Sequence, residues 1–96
     1  MIRSFGSQAT RDIWDGENTA AARSFPRDIW STAQRKLDMV HAAHDIIDLR
    51  IPPGNRLEKL KGKLKDFHSI RINDQFRVIF RWTQGAADEV EIVDYH

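Results

Sequence analysis

The spacing of apolar residues changes once along this 96-residue chain, at the Pro-Pro-Gly-Asn segment of positions 52–55. Upstream, between positions 27 and 49, apolar residues recur at steps of three and four, which places them on one face of an α-helix. That face consists of Ile29, Ala33, Leu37, Val40, His44 and Ile47. We predict a helix over 27–49, with a break or bend near Asp45. Two prolines followed by Gly-Asn cannot continue a helix, so another kind of structure must follow.

Downstream of the prolines the apolar spacing becomes two, which is the spacing of β-strands. Alternation predicts strands over 70–72 and 76–82, joined by a turn at 73–75, and a last strand over 89–93 after a turn at 84–86. We further expect a short strand over 56–60, an edge strand over 2–5 and a short helix over 7–14. The predicted fold class is therefore α+β, in the order β-α-α-β-β-β-β. One antiparallel sheet would pack one face on two N-terminal helices.

Alternation along the strands also predicts which side chains leave the core. If Phe76, Val78, Phe80 and Trp82 face the helices, Arg77 and Arg81 must project from the other face of the sheet. Arg71 on the neighbouring strand would join them, and a lysine-rich loop over 59–65 would lie at the rim. Such a face could cradle a phosphodiester backbone.

The distribution of charge agrees with that expectation. Residues 50–81 hold nine Lys and Arg against three Asp and Glu, a net charge of +6, whereas 1–49 sum to −1 and 82–96 to −4. A basic segment interspersed with aromatic residues is typical of a site for a polyanion such as nucleic acid. The alternative is that exposed lysines and arginines only keep a small sheet in solution.

Composition excludes several other classes. The chain has no cysteine, so it has neither a disulfide framework nor a thiolate zinc site. It has no apolar run near the roughly 20 residues of a membrane span, and its start lacks the apolar core of a signal peptide. We expect one domain over 1–96, a cytoplasmic location and no membrane. His41 and His44 have helical spacing but no third ligand nearby, so we predict no metal site.

The last residues, Asp94-Tyr95-His96, combine a carboxylate, a phenol and an imidazole at the end of the final strand. Cleavage of RNA by internal transesterification needs a base for the ribose 2′-OH, an acid for the departing 5′-oxygen, and cations for the phosphorane. An imidazole with a pKa near 6.5 suits either proton transfer at neutral pH. The alternative here is a terminus without fixed structure.

Three segments together resemble a known family. They are Arg-Leu-Glu-Lys-Leu-Lys-Gly at 56–62, His-Ser-Ile-Arg-Ile-Asn-Asp-Gln-Phe-Arg-Val-Ile-Phe-Arg-Trp at 68–82, and Val-Glu-Ile-Val-Asp-Tyr-His at 90–96. In this order and spacing they are similar to the HigB-type "killer" toxins of the RelE/ParE superfamily, densely over the second half of the chain and more loosely over 1–49. The resemblance implies a ribosome-dependent messenger-RNA endonuclease that uses metal-free attack by the 2′-OH and no cofactor.

It also implies a set of partners. These are the messenger RNA, the decoding site of the ribosome and a HigA-type helix-turn-helix antitoxin. Such an antitoxin also represses its own promoter, so the toxin would meet operator DNA only through the complex.

Residue roles follow from the resemblance by position. Arg77, after Gln-Phe, matches the active-site arginine that stabilises the scissile phosphate, and Lys61 of Leu-Lys-Gly matches a basic residue near the same phosphate. Asp94, Tyr95 and His96 match the terminal catalytic group, with His96 in proton transfer, Asp94 in its orientation or in a proton transfer, and Tyr95 in stacking or positioning. Contacts to RNA or the ribosome are expected from Arg56, Lys59, Lys63, Lys65, Arg71 and Arg81.

The chain departs from the family pattern at one proposed acid/base position. Some members carry a histidine where this chain has Glu58, three residues before Lys61. Either Glu58 would substitute for that histidine, or His68 would approach from the neighbouring strand. A departure in the core is Phe76, where tryptophan is more frequent.

Two other functions remain open on the same scaffold. ParE-type relatives inhibit DNA gyrase and cut no RNA, and a fold alone does not decide function. The retained Arg77 and the terminal Asp-Tyr-His favour the nuclease, since a gyrase inhibitor has no use for them. A non-catalytic RNA-binding protein or decayed toxin would bind without cleavage and would tolerate changes of His96 and Asp94.

Overall fold

A computed structural model describes residues 1–95, and two α-helices precede its sheet. Helix α1 spans Gln8–Asp15; it begins where the Ser7 hydroxyl accepts a hydrogen bond from the Thr10 backbone N–H and ends at Gly16, whose φ is 75°. Helix α2 spans Trp30–Ala42 and follows a 3₁₀ turn over Arg27–Ile29. The prediction of a short first helix is confirmed. Within residues 1–95, no helix is long and apolar enough to cross a membrane.

The predicted break near Asp45 is confirmed, but the helix is shorter than 27–49, because α2 begins at Trp30 and ends at Ala42. A separate 3₁₀ helix, Ile46–Arg50, begins at Asp45 with a capping box. The side chains of Asp45 and Asp48 accept hydrogen bonds from the backbone N–H groups of His44, Asp45 and Ile47. Aspartates that bind nearby backbone in this way compete with continuation of a helix. His44 and Ile47 were therefore wrongly assigned to the core face; both are exposed, Ile47 by 54%.

Four antiparallel strands follow in the order in which they occur along the chain. They are β1 (Glu58–Lys59), β2 (Phe67–Arg71), β3 (Phe76–Thr83) and β4 (Ala86–Asp94), so β1 and β4 form the two edges. The turn between β2 and β3 is closed by Asn73, whose side chain accepts from the backbone N–H groups of Gln75 and Phe76. The predicted strands and turns are present with shifted bounds: β1 is shorter than 56–60, β2 spans Phe67–Arg71 rather than 70–72, and β4 begins before position 89.

The N-terminal segment, residues 1–6, lies along the edge of β4. Ile2 and Phe5 form isolated parallel bridges with Ala87 and Val90. Four backbone hydrogen bonds of 2.8–3.0 Å join this segment to the strand. The expected edge strand over 2–5 is thus present as bridges rather than as a continuous strand.

The core lies between the helices and one face of the sheet. Leu37 and Val40 of α2 pack there with Ile70, and β3 contributes its alternate residues Phe76, Val78 and Phe80, with Trp82 packed against them. On the other face of the sheet, Leu60, Phe67 and Ile79 form a smaller apolar cluster with Val93. Arg77 and Arg81 alternate with the core residues, as predicted, and this second face will be called the outer face.

Burial of Leu37 gives a stability prediction. We expect Leu37→Ala to lower the free energy of unfolding by about 2–5 kcal/mol, because the deleted carbons leave a cavity in a filled core. Urea unfolding followed by circular dichroism measures this change. Ile47→Ala is the matched control: its side chain is exposed, so the loss should stay within about 0.5 kcal/mol. Equal losses for both variants would contradict the assignment of the core face.

Candidate active site

Arg77 is the centre of the candidate site on the outer face. It lies near the start of β3 and is only 9% exposed. One guanidinium nitrogen, Nη1, donates to Oε1 of Glu58 at 3.2 Å, and Nη2 donates to the backbone carbonyl of Arg56 at 2.7 Å. The third nitrogen, Nε, is buried and has no hydrogen-bond partner among the described residues. The guanidinium is therefore fixed in orientation, but one of its N–H donors makes no hydrogen bond to the described residues.

Tyr95 joins Arg77 and Glu58. Its hydroxyl donates to Oε1 of Glu58 at 3.0 Å, and its ring centroid lies 5.1 Å from Cζ of Arg77. The backbone N–H of Tyr95 donates to the Gln75 carbonyl, which continues the β3–β4 pairing by one residue. The hydrogen bond to Glu58, and secondly burial, raise the pKa of Tyr95. Tyr95 is thus a phenol at neutral pH and acts as a donor.

Lys61 lies beside the same group. A cavity of about 330 Å³ is lined by Glu58, Lys59, Leu60, Lys61, Leu64 and Tyr95. The loop after β1 turns through Gly62, whose φ of 68° suits glycine, and forms a 3₁₀ turn over Gly62–Leu64. Lys59, Lys63 and Lys65 are exposed along with Lys61. The structure therefore brings a carboxylate and a phenol together at Arg77, and the ammonium of Lys61 lies on the cavity that the same carboxylate and phenol line.

Asp94 ends β4 opposite Phe76, and its carboxylate accepts a hydrogen bond of 2.9 Å from Nε2 of Gln75. Asp94 thus directly precedes Tyr95, the residue that contacts Glu58 and Arg77. His96 lies outside the described residues, so its place in the site stays a prediction. Gln75 was not among the candidate residues, although its position directly before Phe-Arg offered a signal.

The other predicted arginines are spread along the outer face. Arg71 is paired with Arg77 across β2 and β3 and forms an ion pair with Asp74. Arg81 lies at the far end, where it binds Glu89 at 2.5 Å and Asp66 at 3.4 Å and covers the Phe67 ring. Arg56 contributes its backbone carbonyl to the site, while its side chain is exposed. Arg71 is thus the cross-strand neighbour of Arg77, and Arg56 contacts Arg77 through its backbone.

His68 does not join this group. It pairs with Phe80 on β3 and with Lys59 on β1, and its ring stacks on that of Phe80 with centroids 6.2 Å apart. Alternation along β2 puts Ser69, its neighbour, on the outer face instead. Burial, followed by the charge of Lys59, lowers the pKa of His68. Of the two substitutes for the missing histidine, Glu58 is the one that contacts Arg77.

The functional groups of this site can bind anions and transfer protons. Within residues 1–95 there is no cluster of three or more His, Cys, Asp or Glu side chains that could hold a metal ion. A guanidinium and an ammonium can bind a phosphate, a carboxylate can accept a proton, and a phenol can donate a hydrogen bond.

Comparison with known proteins places this arrangement in a family. The chain is 48% identical over 71 residues to Toxin HigB-1 of Vibrio cholerae serotype O1, covering 74% of this chain and 75% of that protein. It is 44% identical over 65 residues to an uncharacterized protein of Haemophilus influenzae, covering 68% of this chain and 64% of that protein. A family model described as a RelE-like toxin of the type II toxin-antitoxin system HigB matches residues 4–96. The chain therefore belongs to the HigB-like toxins, the RelE-like toxins of type II toxin-antitoxin systems.

Proposed function

We propose that this toxin is an endoribonuclease that cleaves messenger RNA in the decoding site of the ribosome and thereby inhibits translation. The observation that carries the proposal is the contact of Arg77, Glu58 and Tyr95 on the outer face, beside a cavity that Lys61 also lines. A type II toxin has an antitoxin partner, which we propose to be of the HigA helix-turn-helix type. Operator DNA would then contact the toxin only through that complex.

Arg77 and Lys61 would bind the scissile phosphate. Attack of the ribose 2′-oxygen on phosphorus forms one P–O bond and breaks the bond to the 5′-oxygen, which leaves a cyclic phosphate and a 5′-hydroxyl. The intermediate carries more negative charge than the ground state, so cations held in place stabilise it selectively. Glu58 must release Nη1 of Arg77 for the phosphate while it keeps the hydrogen bond from the Tyr95 hydroxyl, and its 46% exposed side chain has room for this movement.

The proton transfers fall to the groups around this phosphate. We assign to Glu58 or Asp94 the removal of the 2′-OH proton, since both are carboxylates at this end of the sheet. His96 would give a proton to the departing 5′-oxygen. Tyr95, which stays protonated at neutral pH, would stack on or position a base and hold Glu58 by its hydroxyl.

The lysine-rich loop supports a role of ribosomal RNA in this reaction. Lys59 and Lys61 line the cavity beside Glu58, and Lys63 and Lys65 are exposed on the loop that follows. These lysines can therefore bind phosphates of a second RNA while Arg77 binds the scissile phosphate. Arg56, Arg71 and Arg81 would extend this basic surface. We accordingly propose one toxin domain over 1–96 that works in the cytoplasm, where ribosomes translate.

The test is cleavage of messenger RNA by the purified chain with and without ribosomes, with 5′ ends mapped. We expect cleavage only with ribosomes, and its loss in His96→Ala. His44→Ala is the matched control, since His44 is an exposed histidine at the end of α2, and it should cleave normally. Intact RNA together with growth arrest in cells would contradict the nuclease and make DNA gyrase the next target to assay.

A further inference from the structure

Lys36 of α2 is an unusual residue for the core, since it carries a charge and is only 7% exposed. Its ammonium donates a hydrogen bond of 2.5 Å to Oδ1 of Asn55, which is an amide oxygen rather than a carboxylate. Burial lowers the pKa of Lys36, and the charges of Arg35 and Arg71 lower it further. A methionine of nearly equal length would fill this space without the cost of burying a charge.

Asn55 is completely buried (0% exposed) and uses both ends of its amide. While Oδ1 accepts from Lys36, Nδ2 donates to the carbonyls of Leu49 at 3.2 Å and Ile51 at 3.5 Å. Since an ammonium only donates, Lys36 fixes which end of the amide faces the loop. The pair therefore holds the loop between Leu49 and Asn55 against α2.

The same loop determines where Arg77 points. Arg56 follows Asn55 with φ 46° and ψ 53°, a left-handed conformation that a non-glycine residue adopts only when its surroundings impose it. In this conformation the Arg56 carbonyl accepts from Nη2 of Arg77 at 2.7 Å. A continuous path of contacts thus runs from Lys36 through Asn55 and Arg56 to the guanidinium.

We infer that Lys36 and Asn55 are positioning residues that orient Arg77 for the reaction through the backbone of Arg56. This inference rests on the proposed function, because it takes Arg77 to be the phosphate ligand. It explains why a charge is buried between α2 and the loop: a donor is needed there, because apolar packing alone would leave Oδ1 of Asn55 as a buried acceptor without a hydrogen bond. Neither residue touches the RNA in this role.

The experiment compares Lys36→Met and Asn55→Ala with Val40→Ala. Val40 is a fully buried residue of the same helix that takes no part in the path, so its variant reports loss of packing alone. In ribosome-dependent cleavage below the unfolding transition, we expect kcat to fall about 10–100-fold in the first two variants, as for supporting residues of other sites. KM should change less than about twofold, and Val40→Ala should keep its kcat.

A second readout does not need RNA. In ¹⁵N-arginine NMR spectra the buried Nε–H of Arg77, assigned by its absence in Arg77→Lys, should exchange with solvent at least about tenfold faster in both variants than in Val40→Ala. Faster exchange with lower kcat supports the inference. Faster exchange with unchanged kcat overturns the inference, because the reaction then does not depend on how this pair orients Arg77. Absence of cleavage by the wild-type chain with ribosomes overturns the proposed function instead. Unchanged exchange in a folded Lys36→Met overturns the inference. If Asn55→Ala does not fold, the result for Lys36→Met alone tests the inference.

Discussion

Arg77→Ala should lower the single-turnover rate of ribosome-dependent cleavage by about 10²–10³-fold, the usual effect of removing one donor to a developing oxyanion. The Arg56 carbonyl holds Nη2, so the guanidinium keeps its orientation when Glu58 releases Nη1 to the phosphate. A preorganised cation does not have to reorganise during the reaction, and its loss therefore acts on the rate. The measurement is the cleavage rate at saturating ribosomes, with unfolding followed in parallel.

Arg77→Lys separates charge from geometry. An ammonium keeps the positive charge, but it is a single point that cannot reproduce the fork of Nη1 and Nη2, so most of the loss should remain. Arg11→Ala is the control, because Arg11 is an exposed arginine of α1 paired with Asp15, away from the site. If Arg77→Ala cleaves within about threefold of the wild type, the guanidinium is not the phosphate ligand.

Deleting Tyr95 and His96 should abolish growth arrest and leave both the fold and the binding of antitoxin intact. The deletion removes a ring that covers Arg77 and a donor to Glu58, together with the proposed acid. Tyr95 is 43% exposed and is not part of the core between the helices and the sheet. Growth of cells after induction measures the arrest. Thermal unfolding measures the stability of the fold, and titration with antitoxin measures binding.

Tyr95→Phe separates the role of the hydroxyl from that of the ring, since it keeps the ring over Arg77 and loses only the hydrogen bond to Glu58. We expect it to weaken the arrest without abolishing it. Growth arrest by the truncated chain would show that the terminal group is not the active site. Because a tag after His96 could mimic the deletion, tagged protein for these assays should carry its tag at the N-terminus.

The faces of the sheet could be predicted because alternation is a local property. Phe76 and Val78 point to the helices and Arg77 points away, as their spacing requires. A break near Asp45 was predicted, but the position at which α2 ends, Ala42, could not be predicted in the same way. Apolar spacing continues through His44 and Ile47, but Asp45 and Asp48 bind the backbone locally, and that competition outweighs the pattern.

The sequence allowed prediction of the side chains that form the candidate site, but not of the groups that support them. Lys61, Tyr95 and Arg77 were all named, and Glu58 was named as one of two substitutes for a histidine. The Arg56 carbonyl was missed because nothing in an Arg-Leu dipeptide indicates a left-handed φ. Lys36 offered a faint signal: it lies three residues after Ala33 and four before Val40, so helical spacing places it at the border of the core face.

The bridges of the N-terminal segment along β4 bear on how the toxin avoids aggregation when it is separated from its antitoxin. An open sheet edge is a template on which further chains can add strands, and thus a route to aggregation. Residues 1–6 occupy one edge of this sheet, and the opposite edge is only the two residues of β1, followed by a lysine-rich loop. Short edges and lysines both discourage pairing between chains. The same lysines that we propose to bind ribosomal RNA would therefore also protect the free toxin from self-association.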